Sequence, residues 1–540
     1  MPARVLRPLR LAVLLSFVSG LPHVGASTRE ADRPVAGLAP PTPLLIEAAV
    51  ARGEISEATG SLYLGYALAR PERLPARFRS DTPWHGTVWL LEARRALRDM
   101  PPGPQRQELA TLLAPMADPG PGGAGTDFCD VLAPGPHTHT VESEHFYIEY
   151  NDASLRGGLT IDDYIDSLET VWQKEVDQFG WAAPPVYTPN PAPGSKYPVI
   201  IHKLGPALYG FVSNTGTHAG SVGNNPNTSW NEGDADASCM GLNQNFGPFP
   251  GTPQQALDAT TAHEFNHSLQ FGYGALSGWN TPDSVFIEGG ATWMEDEVFD
   301  QANDNYNYLW PQFDHDMGSY EEGPLDGPYE YWITFRGLTE RLGAGVAGGG
   351  EDIMQRFWEL TSRNEASNLG ALRMAVAAEG LKLKGAFHGY AIAVKFNRPC
   401  TAKIPYPLCF EEGPGYVQAA GPTGVHGRVQ QVGGRVSGEL PDNYSISWIR
   451  VPDGSGKYRI RLRNTSTGGR LRASVVCRKP GDLVITPLAA GLGGGGKSKW
   501  REIASGACLQ VVVVITNHTQ TGANPSESRE RGYVVRTARG

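Results

Sequence analysis

The sequence predicts an α+β protein with a helical N-terminal region and a β-rich C-terminal region. Residues 42–116 contain Ala-rich runs with apolar residues at helical spacing. From 139 to 398, strand-like runs come first and helical patterns follow, which is typical of α+β domains. Beyond about residue 413, short β-branched runs alternate with Gly, Pro, Asn and Asp turns. The 540 residues are enough for two or three hydrophobic cores.

The first 26 residues have the features of an export signal. Three arginines precede the apolar stretch Leu11–Leu21, and Val24-Gly25-Ala26 is a small-residue cleavage site. The apolar stretch is too short to span a bilayer, and no later segment approaches ~20 continuous apolar residues. We therefore predict a signal peptide at 1–26 and a secreted or periplasmic protein without a membrane span. Its removal changes the net charge from −10 to −13, because it carries three Arg and no acidic residue.

Residues 27–117 form the predicted helical N-terminal region, and 118–138 form a linker. The linker opens with the Gly- and Pro-rich run Asp118–Gly125. A helical unit before such a linker in an exported protein is either a prosegment or a fixed accessory domain. The sequence leaves both interpretations open.

The catalytic candidate is the unit at 139–412, and the last unit is 413–540. In the former we expect strands at 144–150 and 197–201 around a helix at 161–179, then mainly helices. In the latter, runs such as Ile446–Val451 and Leu509–Ile515 predict a β-sandwich. This sandwich is a candidate for binding a surface or a polysaccharide.

An even number of cysteines, six, remains after signal cleavage, which in an exported chain favours disulfides. Proximity in sequence favours Cys400 with Cys409 and Cys477 with Cys508, which leaves Cys129 with Cys239. Six cysteines allow 15 pairings, so this is one hypothesis among them.

The segment Ala262–Leu269 contains an HExxH pattern. His263 and His267 are four residues apart, so both imidazoles lie on one helical face and can contact the same ion. Glu264 is rotated by about 100°, where it can reach a water molecule beside the metal without being a ligand. Alone, the pattern also fits two hydrogen-bonded or solvated histidines.

The helix that carries the pattern has clear boundaries. Thr252 is a predicted N-cap, Pro253 occupies the first helical position, and Gln255 completes a capping box. Gly272 is the predicted end. An apolar stripe opposite the histidines would face the core: Leu257, Thr261, Phe265 and Leu269.

A third ligand is expected downstream. A metzincin arrangement needs Gly three residues and His six residues after His267, and those positions hold Gln270 and Tyr273. Glu288, 21 positions after His267, is placed so that a returning helix could direct its carboxylate to the metal.

The neighbours of Glu288 support a packed second helix. Gly289 and Gly290 weaken an isolated helix by about 1 kcal/mol each, which is explained if this helix packs closely on the metal helix. Glu295 lies on the same face as Glu288 and is either a hydrogen-bond partner of a ligand histidine or part of a solvated face.

HEFNH followed by IEGGATWME resembles the gluzincin metallopeptidases, the group that includes thermolysin and the zinc aminopeptidases. The chain is also similar in organisation to exported bacterial metalloproteases. The motif match covers about residues 236–300. The resemblance implies a zincin-like domain with a mixed sheet packed on the active-site helix. It implies a Zn²⁺ ion held by His263, His267 and Glu288, with Glu264 as the general base.

In gluzincins a Tyr or His beyond the third ligand often stabilises the oxyanion. Here the resemblance implies Tyr329, with Tyr331 and His315 as alternatives. Asp234 and Asp236 are weak candidates for Ca²⁺, although a turn is the favoured interpretation.

We therefore predict a secreted zinc peptidase that hydrolyses protein or peptide substrates. The alternatives are a non-catalytic exported zinc protein that binds a surface or polymer, and a zinc hydrolase of non-peptide esters or amides. The net charge of −10 argues against nucleic acid as a partner, because phosphate binding needs clustered Lys and Arg.

Overall fold

The computed structural model describes residues 40–113, 129, 139–150, 155–276, 281–309, 328–340, 351–440, 444–452, 456–518 and 531–540. The predicted signal peptide, the linker apart from Cys129, and His315 lie outside these residues. The described residues form twelve α-helices and several β-sheets, which confirms the α+β class. None of the described helices combines the length and hydropathy needed to cross a bilayer.

The described part of the N-terminal region contains four helices: α1 (Thr42–Ala51), α2 (Glu57–Ala69), α3 (Thr87–Asp99) and α4 (Pro104–Leu113). They share a core with one face of the central sheet, to which Leu208 and Phe211 contribute. Val88 and Leu91 of α3 belong instead to the core of the following domain. The N-terminal region is therefore packed into the rest of the protein.

The central sheet has five strands in the order β1-β2-β3-β7-β4. The β2–β3 and β3–β7 pairs are parallel, whereas β1–β2 and β4–β7 are antiparallel, so the sheet is mixed. Its strands are β1 (His139–Glu142), β2 (Phe146–Tyr150), β3 (Tyr197–His202), β4 (Gly210–Ser213) and β7 (Cys239–Asn243). A separate hairpin is formed by β5 (Gly220–Gly223) and β6 (Ala235–Ala237).

Among the described residues, seven helices complete the central unit: α5 (Ile161–Trp172), α6 (Pro253–Gly272), α7 (Ser284–Val298), α8 (Trp332–Thr339), α9 (Glu351–Ser362), α10 (Asn368–Ala378) and α11 (Leu383–Phe396). A π-helical segment, Gln173–Gln178, extends α5 to about the predicted end.

The boundaries of α6 agree with the sequence prediction. Thr252 and Gln255 form the reciprocal capping box, and Pro253 begins the helix. Phe265, on the predicted apolar stripe, packs edge-on against Phe146 and Tyr197 of the sheet. A capped helix with one apolar stripe is thus fixed on the sheet, and its opposite face is turned to the histidine cluster.

The C-terminal region begins with a helix, α12 (Gly413–Ala420), and continues as two packed sheets. One has the order β13-β12-β15-β10-β8 and the other β14-β11-β16-β9. Their facing side chains form one core, which includes Val475, Val513, Ile460 and Val535. The strands are β8 (Gly427–Arg428), β9 (Arg435–Leu440), β10 (Ile446–Val451), β11 (Lys457–Asn464), β12 (Arg470–Lys479), β13 (Asp482–Gly493), β14 (Arg501–Ala504), β15 (Gln510–Asn517) and β16 (Arg531–Arg539).

The five-stranded sheet packs on α11 through buried polar contacts. His388 contacts Thr516 and Ser474 at 2.9 Å each, and Trp448 Nε1 donates to Ala391 O at 2.8 Å. Because these groups are buried, each needs its partner. The contacts leave the four-stranded sheet on the far side of the sandwich.

The structure contains three disulfides, Cys129–Cys239, Cys400–Cys409 and Cys477–Cys508, in the pairing that the sequence favoured. The first joins the predicted linker to β7. The second closes a loop after α11, and the third lies within the sandwich.

Candidate metal centre

Helix α6 directs its two histidines towards Glu288 of α7. His263 Nε2 lies 2.9 Å from Glu288 Oε2, and His267 Nε2 lies 3.4 Å from the same oxygen. All three side chains have no exposed surface. The three residues predicted from sequence as metal ligands are therefore brought together.

The glycines beside Glu288 serve a different contact from the one expected. A Cβ on Gly289 would lie 3.0 Å from Pro328 O and 3.0 Å from Tyr331 Cβ, whereas Gly290 faces Met354 and Trp358. The close approach to α6 is made instead by Gly210 of β4, where a Cβ would lie 3.2 Å from Glu264 Cγ. Gly289 thus allows α7 to pack on the segment with the tyrosine candidates.

The outer nitrogen of each histidine has an acceptor. His263 Nδ1 lies 2.7 Å from Glu295 Oε1, and His267 Nδ1 lies 2.9 Å from Gln270 Oε1. Gln270 is oriented in turn, because its Nε2 donates to Asn266 Oδ1 at 2.9 Å. A proton on each Nδ1 leaves the Nε2 lone pairs directed at the Glu288 carboxylate, which is the arrangement that ligand histidines need.

Two atoms of the cluster have no hydrogen-bond partner. They are His267 Nε2 and Glu288 Oε1, both buried. Buried polar atoms without partners are rare and costly, and a cation between two imidazole nitrogens and a carboxylate would satisfy both. The donor set fits a divalent metal, and the three ligand atoms lie within 4.8 Å of one another.

The charges around the cluster favour neutral His263 and ionised Glu264. Burial lowers the pKa of His263 well below its usual value, and nearby His85 and His267 add to the shift. For Glu264, burial acts to raise the pKa, but the hydrogen bond and charge of His85 outweigh it, so the pKa is lowered. For His267, burial acts to lower the pKa, yet the carboxylate of Glu288 raises it overall.

Both oxygens of Glu264 are held by the N-terminal region. His85 Nδ1 lies 3.0 Å from Oε1, and Thr87 Oγ1 donates to Oε2 at 2.8 Å. The His85 ring also stacks on His263, with ring centroids 3.6 Å apart. The predicted base is therefore enclosed by residues more than 170 positions away in sequence.

The backbone around His85 pairs with the chain that leads into edge strand β4. Trp84 N donates to Ala207 O, Tyr209 N donates to Trp84 O, and Gly86 N donates to Gly210 O, at 2.9–3.1 Å. Trp84 and Leu208 form a parallel β-bridge. The segment 84–86 thus lies beside the site and pairs through its backbone with the chain at a sheet edge, as a bound peptide does.

Tyr329 lies next to the same segment. Its hydroxyl donates to His85 O at 3.4 Å, and its ring centroid is 6.0 Å from that of His263. Burial raises the pKa of Tyr329 well above its usual value, and the carboxylates of Glu288 and Glu264 add to this, so the hydroxyl remains a donor. Tyr331 is buried on the other side, against α7, and His315 lies outside the described residues.

Two other ligand clusters occur in the described part of the chain. His85, His263 and Glu295 share a histidine with the first cluster, and the Nδ1 atoms of both histidines already have acceptors. Asp296, Asp300 and Glu412 form an acidic group, in which Asp296 pairs with Arg336.

The calcium candidates from the sequence belong to none of these clusters. Asp236 accepts a hydrogen bond from Asn214 Nδ2 at 2.5 Å. Asp234 lies in a bend directly before the hairpin strand β6. Among the described residues, no third His, Cys, Asp or Glu side chain joins these two carboxylates in a ligand cluster.

Sequence reasoning missed three residues of the site: His85, Thr87 and Gln270. Gln270 is three positions after His267, so helical spacing could have identified it as a neighbour. His85 and Thr87 carry no local signal. Comparison of the chain with protein-family models and with curated proteins finds no match.

Proposed function

We propose that this protein is an exported zinc-dependent peptidase with His263, His267 and Glu288 as metal ligands. The observation that carries the proposal is the convergence of the two oriented histidine Nε2 atoms on the buried Glu288 carboxylate. His267 Nε2 and Glu288 Oε1 have no hydrogen-bond partner there. Two imidazole nitrogens and one carboxylate form a set that Zn²⁺ accepts while keeping a position open. A zinc ion in such a site activates water for attack and polarises a carbonyl.

Glu264 is the proposed base. Its lowered pKa keeps it ionised, so it can take the proton of the attacking water and pass it to the leaving amine. Tyr329, which stays protonated, is the proposed donor to the oxyanion that develops on the carbonyl oxygen. In the structure the Glu264 carboxylate is bonded to the His85 and Thr87 side chains, and the Tyr329 hydroxyl is bonded to the His85 carbonyl. Neither group can act on a substrate while these bonds are made, so hydrolysis requires that segment 84–87 move away.

The contacts of this segment favour a peptide as the substrate class. Its backbone pairs with residues 207–210, and its His85 carbonyl accepts from Tyr329. A peptide substrate would need the same two features, namely a partner for its backbone and a donor for its carbonyl. A simple ester would need only the second. This supports a peptidase over a hydrolase of non-peptide esters.

The second candidate is a non-catalytic exported zinc protein. It is favoured by one observation, the complete burial of Glu264 and the three ligands. Three disulfides are typical of exported chains, and they fit both candidates. The two functions differ in whether Glu264 does chemistry.

The test uses the full mature chain and a double variant, His85→Ala with Thr87→Ala, which removes both side-chain contacts to Glu264 and so weakens the attachment of segment 84–87, whose backbone bonds remain. Both are assayed for zinc content and for hydrolysis of casein and a quenched peptide library. We expect hydrolysis in at least one of them. Glu264→Gln in the active background should abolish it and leave the zinc content unchanged.

Glu169→Gln is the matched control, since it removes a partly buried carboxylate that also pairs with a histidine, His145, at 2.6 Å. It should change neither zinc content nor turnover. Stoichiometric zinc without hydrolysis in either background would refute the enzyme and favour the second candidate. Hydrolysis that survives Glu264→Gln would refute the base assignment.

A further inference from the structure

The outer face of the four-stranded sheet carries a straight row of arginines. Arg435 of β9 stands opposite Arg536 of β16, which stands opposite Arg461 of β11. Neighbouring strands are about 4.8 Å apart, so the row spans roughly 10 Å. Arg459 and Arg463 point the same way from alternate positions of β11, because Tyr458, Ile460 and Leu462 between them face the core.

This basic face is accessible, and among the described residues acidic neighbours do not neutralise it. Arg435 is exposed, and Arg461 and Arg536 are partly exposed. Within the described residues, no ion pair involves any of the three. The acidic side chains that the structure describes on the same face are Glu439, at the far end of β9, and Glu502, which pairs with Lys457 at 3.6 Å.

Like charges placed directly opposite one another destabilise a sheet. Three arginines in register therefore destabilise the folded state by their mutual repulsion. An anionic ligand would offset this repulsion through charge-assisted hydrogen bonds to the guanidinium groups. Trp500 holds one end of the row, because the Arg461 guanidinium lies 4.5 Å from its ring centroid. That contact reduces the freedom that Arg461 would lose on binding.

The charge of the chain is divided unequally. Residues 413–540 hold 18 Lys and Arg and 7 Asp and Glu, a net charge of +11. Since the whole chain carries −10, residues 1–412 carry −21. The C-terminal region is therefore basic although the whole chain is acidic, and the argument against nucleic acid from the net charge rests on a sum that mixes the two parts.

We propose that this basic face binds an acidic polysaccharide, a linear sugar polymer that bears carboxylate or sulfate groups. Arg is the side chain that contacts such planar or branched anions through two parallel hydrogen bonds. A straight row across three strands fits a linear array of anions better than a single one. The proposal is independent of the peptidase, and it assigns the sandwich to the capture of a surface polymer.

Other polyanions fit less well. Membrane binding usually adds apolar side chains that insert among the lipids, and the exposed large apolar residues of the described chain, Met374, Val484 and Leu509, are not on this sheet. Single-stranded nucleic acid needs free aromatic faces for its bases, whereas the Trp500 ring is covered by Arg461.

The experiment measures retardation of the full chain in native gels that contain polygalacturonate, dextran sulfate or neutral dextran. We expect retardation by one or both anionic polymers and none by dextran. The two anionic arms distinguish a carboxylate polymer from a sulfate polymer. Replacing Arg435, Arg461 and Arg536 by Gln should weaken binding to the anionic polymer at least about tenfold. The unfolding temperature of this triple variant at low salt should not fall, because repulsion between the three arginines is removed.

The matched control replaces Arg373, Lys382 and Lys403, exposed cations outside the sandwich, by Gln and so removes the same charge. It should change the affinity less than about twofold. Arg536→Gln alone serves as a milder variant that keeps the two outer arginines. Equal weakening in both triple variants, or tighter binding to phosphatidylglycerol vesicles or oligo-dT than to either polymer, would overturn the proposal.

Discussion

The most informative perturbation of the metal centre is Gln270→Leu. Gln270 Oε1 accepts the Nδ1 proton of His267 at 2.9 Å, and the amide is buried and held by Asn266. Leu retains most of the volume and removes the acceptor. The variant removes the hydrogen bond to a proposed ligand without removing the ligand, and it also removes the two bonds that Gln270 Nε2 donates, to Asn266 Oδ1 at 2.9 Å and to Ile287 O at 3.3 Å, whether or not metal is bound.

The expected loss can be worked from this geometry. With metal bound, His267 must carry its proton on Nδ1, so the variant leaves a buried N–H without a partner, which costs about 1–3 kcal/mol. Without metal, the proton can move to Nε2, which faces Glu288 at 3.4 Å. The cost therefore falls mainly on the bound state, and we expect zinc affinity to decrease about 10–100-fold.

The assay is zinc affinity by competition with a chelator, with far-UV circular dichroism to check the fold. Gln254→Leu is the matched control, since it lies on the same helix and its amide donates to Asp258 rather than to a proposed ligand. It should bind zinc as the wild type does. An unchanged affinity in the Gln270 variant would refute the proposed role of His267 as a ligand.

Three further outcomes are expected. Freeing the base by His85→Ala with Thr87→Ala should raise peptide turnover at least about tenfold, since two charge-assisted hydrogen bonds are lost; a fall in turnover would instead make the N-terminal region a working part of the site. Removing zinc with a chelator should lower the unfolding temperature. The free energy of unfolding should fall by about 4 kcal/mol if the free zinc concentration was 1,000 times the dissociation constant. An unchanged unfolding temperature would contradict metal binding to the folded state. Burial, aided by nearby arginines, lowers the pKa of Lys395 to about 7. Between that value and about 10.4 the unfolded chain binds the extra proton, so stability should rise with pH by up to about 1.4 kcal/mol per unit, and Lys395→Met should remove this slope in denaturant unfolding between neutral pH and about pH 9.5.

The predictable parts of this protein were those with local signals. The capping box, Pro253 and the apolar stripe define α6, and four-residue spacing places His263 and His267 on one face. Predicting that Glu288 approaches the histidines required only the assumption that a second helix folds back against α6. Local chemistry was therefore sufficient to predict that His263, His267 and Glu288 lie together.

The remaining features depend on contacts that are distant in sequence. His85 reaches Glu264 only because segment 84–86 joins the edge of the central sheet. The arginine row exists only in the strand register, which brings together Arg435, Arg461 and Arg536 from three strands. Gly289 was assigned to the wrong neighbour for the same reason, since its partner, the segment that begins at Pro328, is about 40 residues away.

The central claim is that one metal ion is held by α6 and α7 together. The most direct measurement is anomalous diffraction at the zinc absorption edge from crystals of the mature protein. We expect a single peak at about 2.0–2.2 Å from His263 Nε2, His267 Nε2 and a Glu288 oxygen. The claim would be contradicted if zinc occupied other sites in the crystal and gave no peak between these side chains. A peak that Glu288 does not contact would contradict it as well.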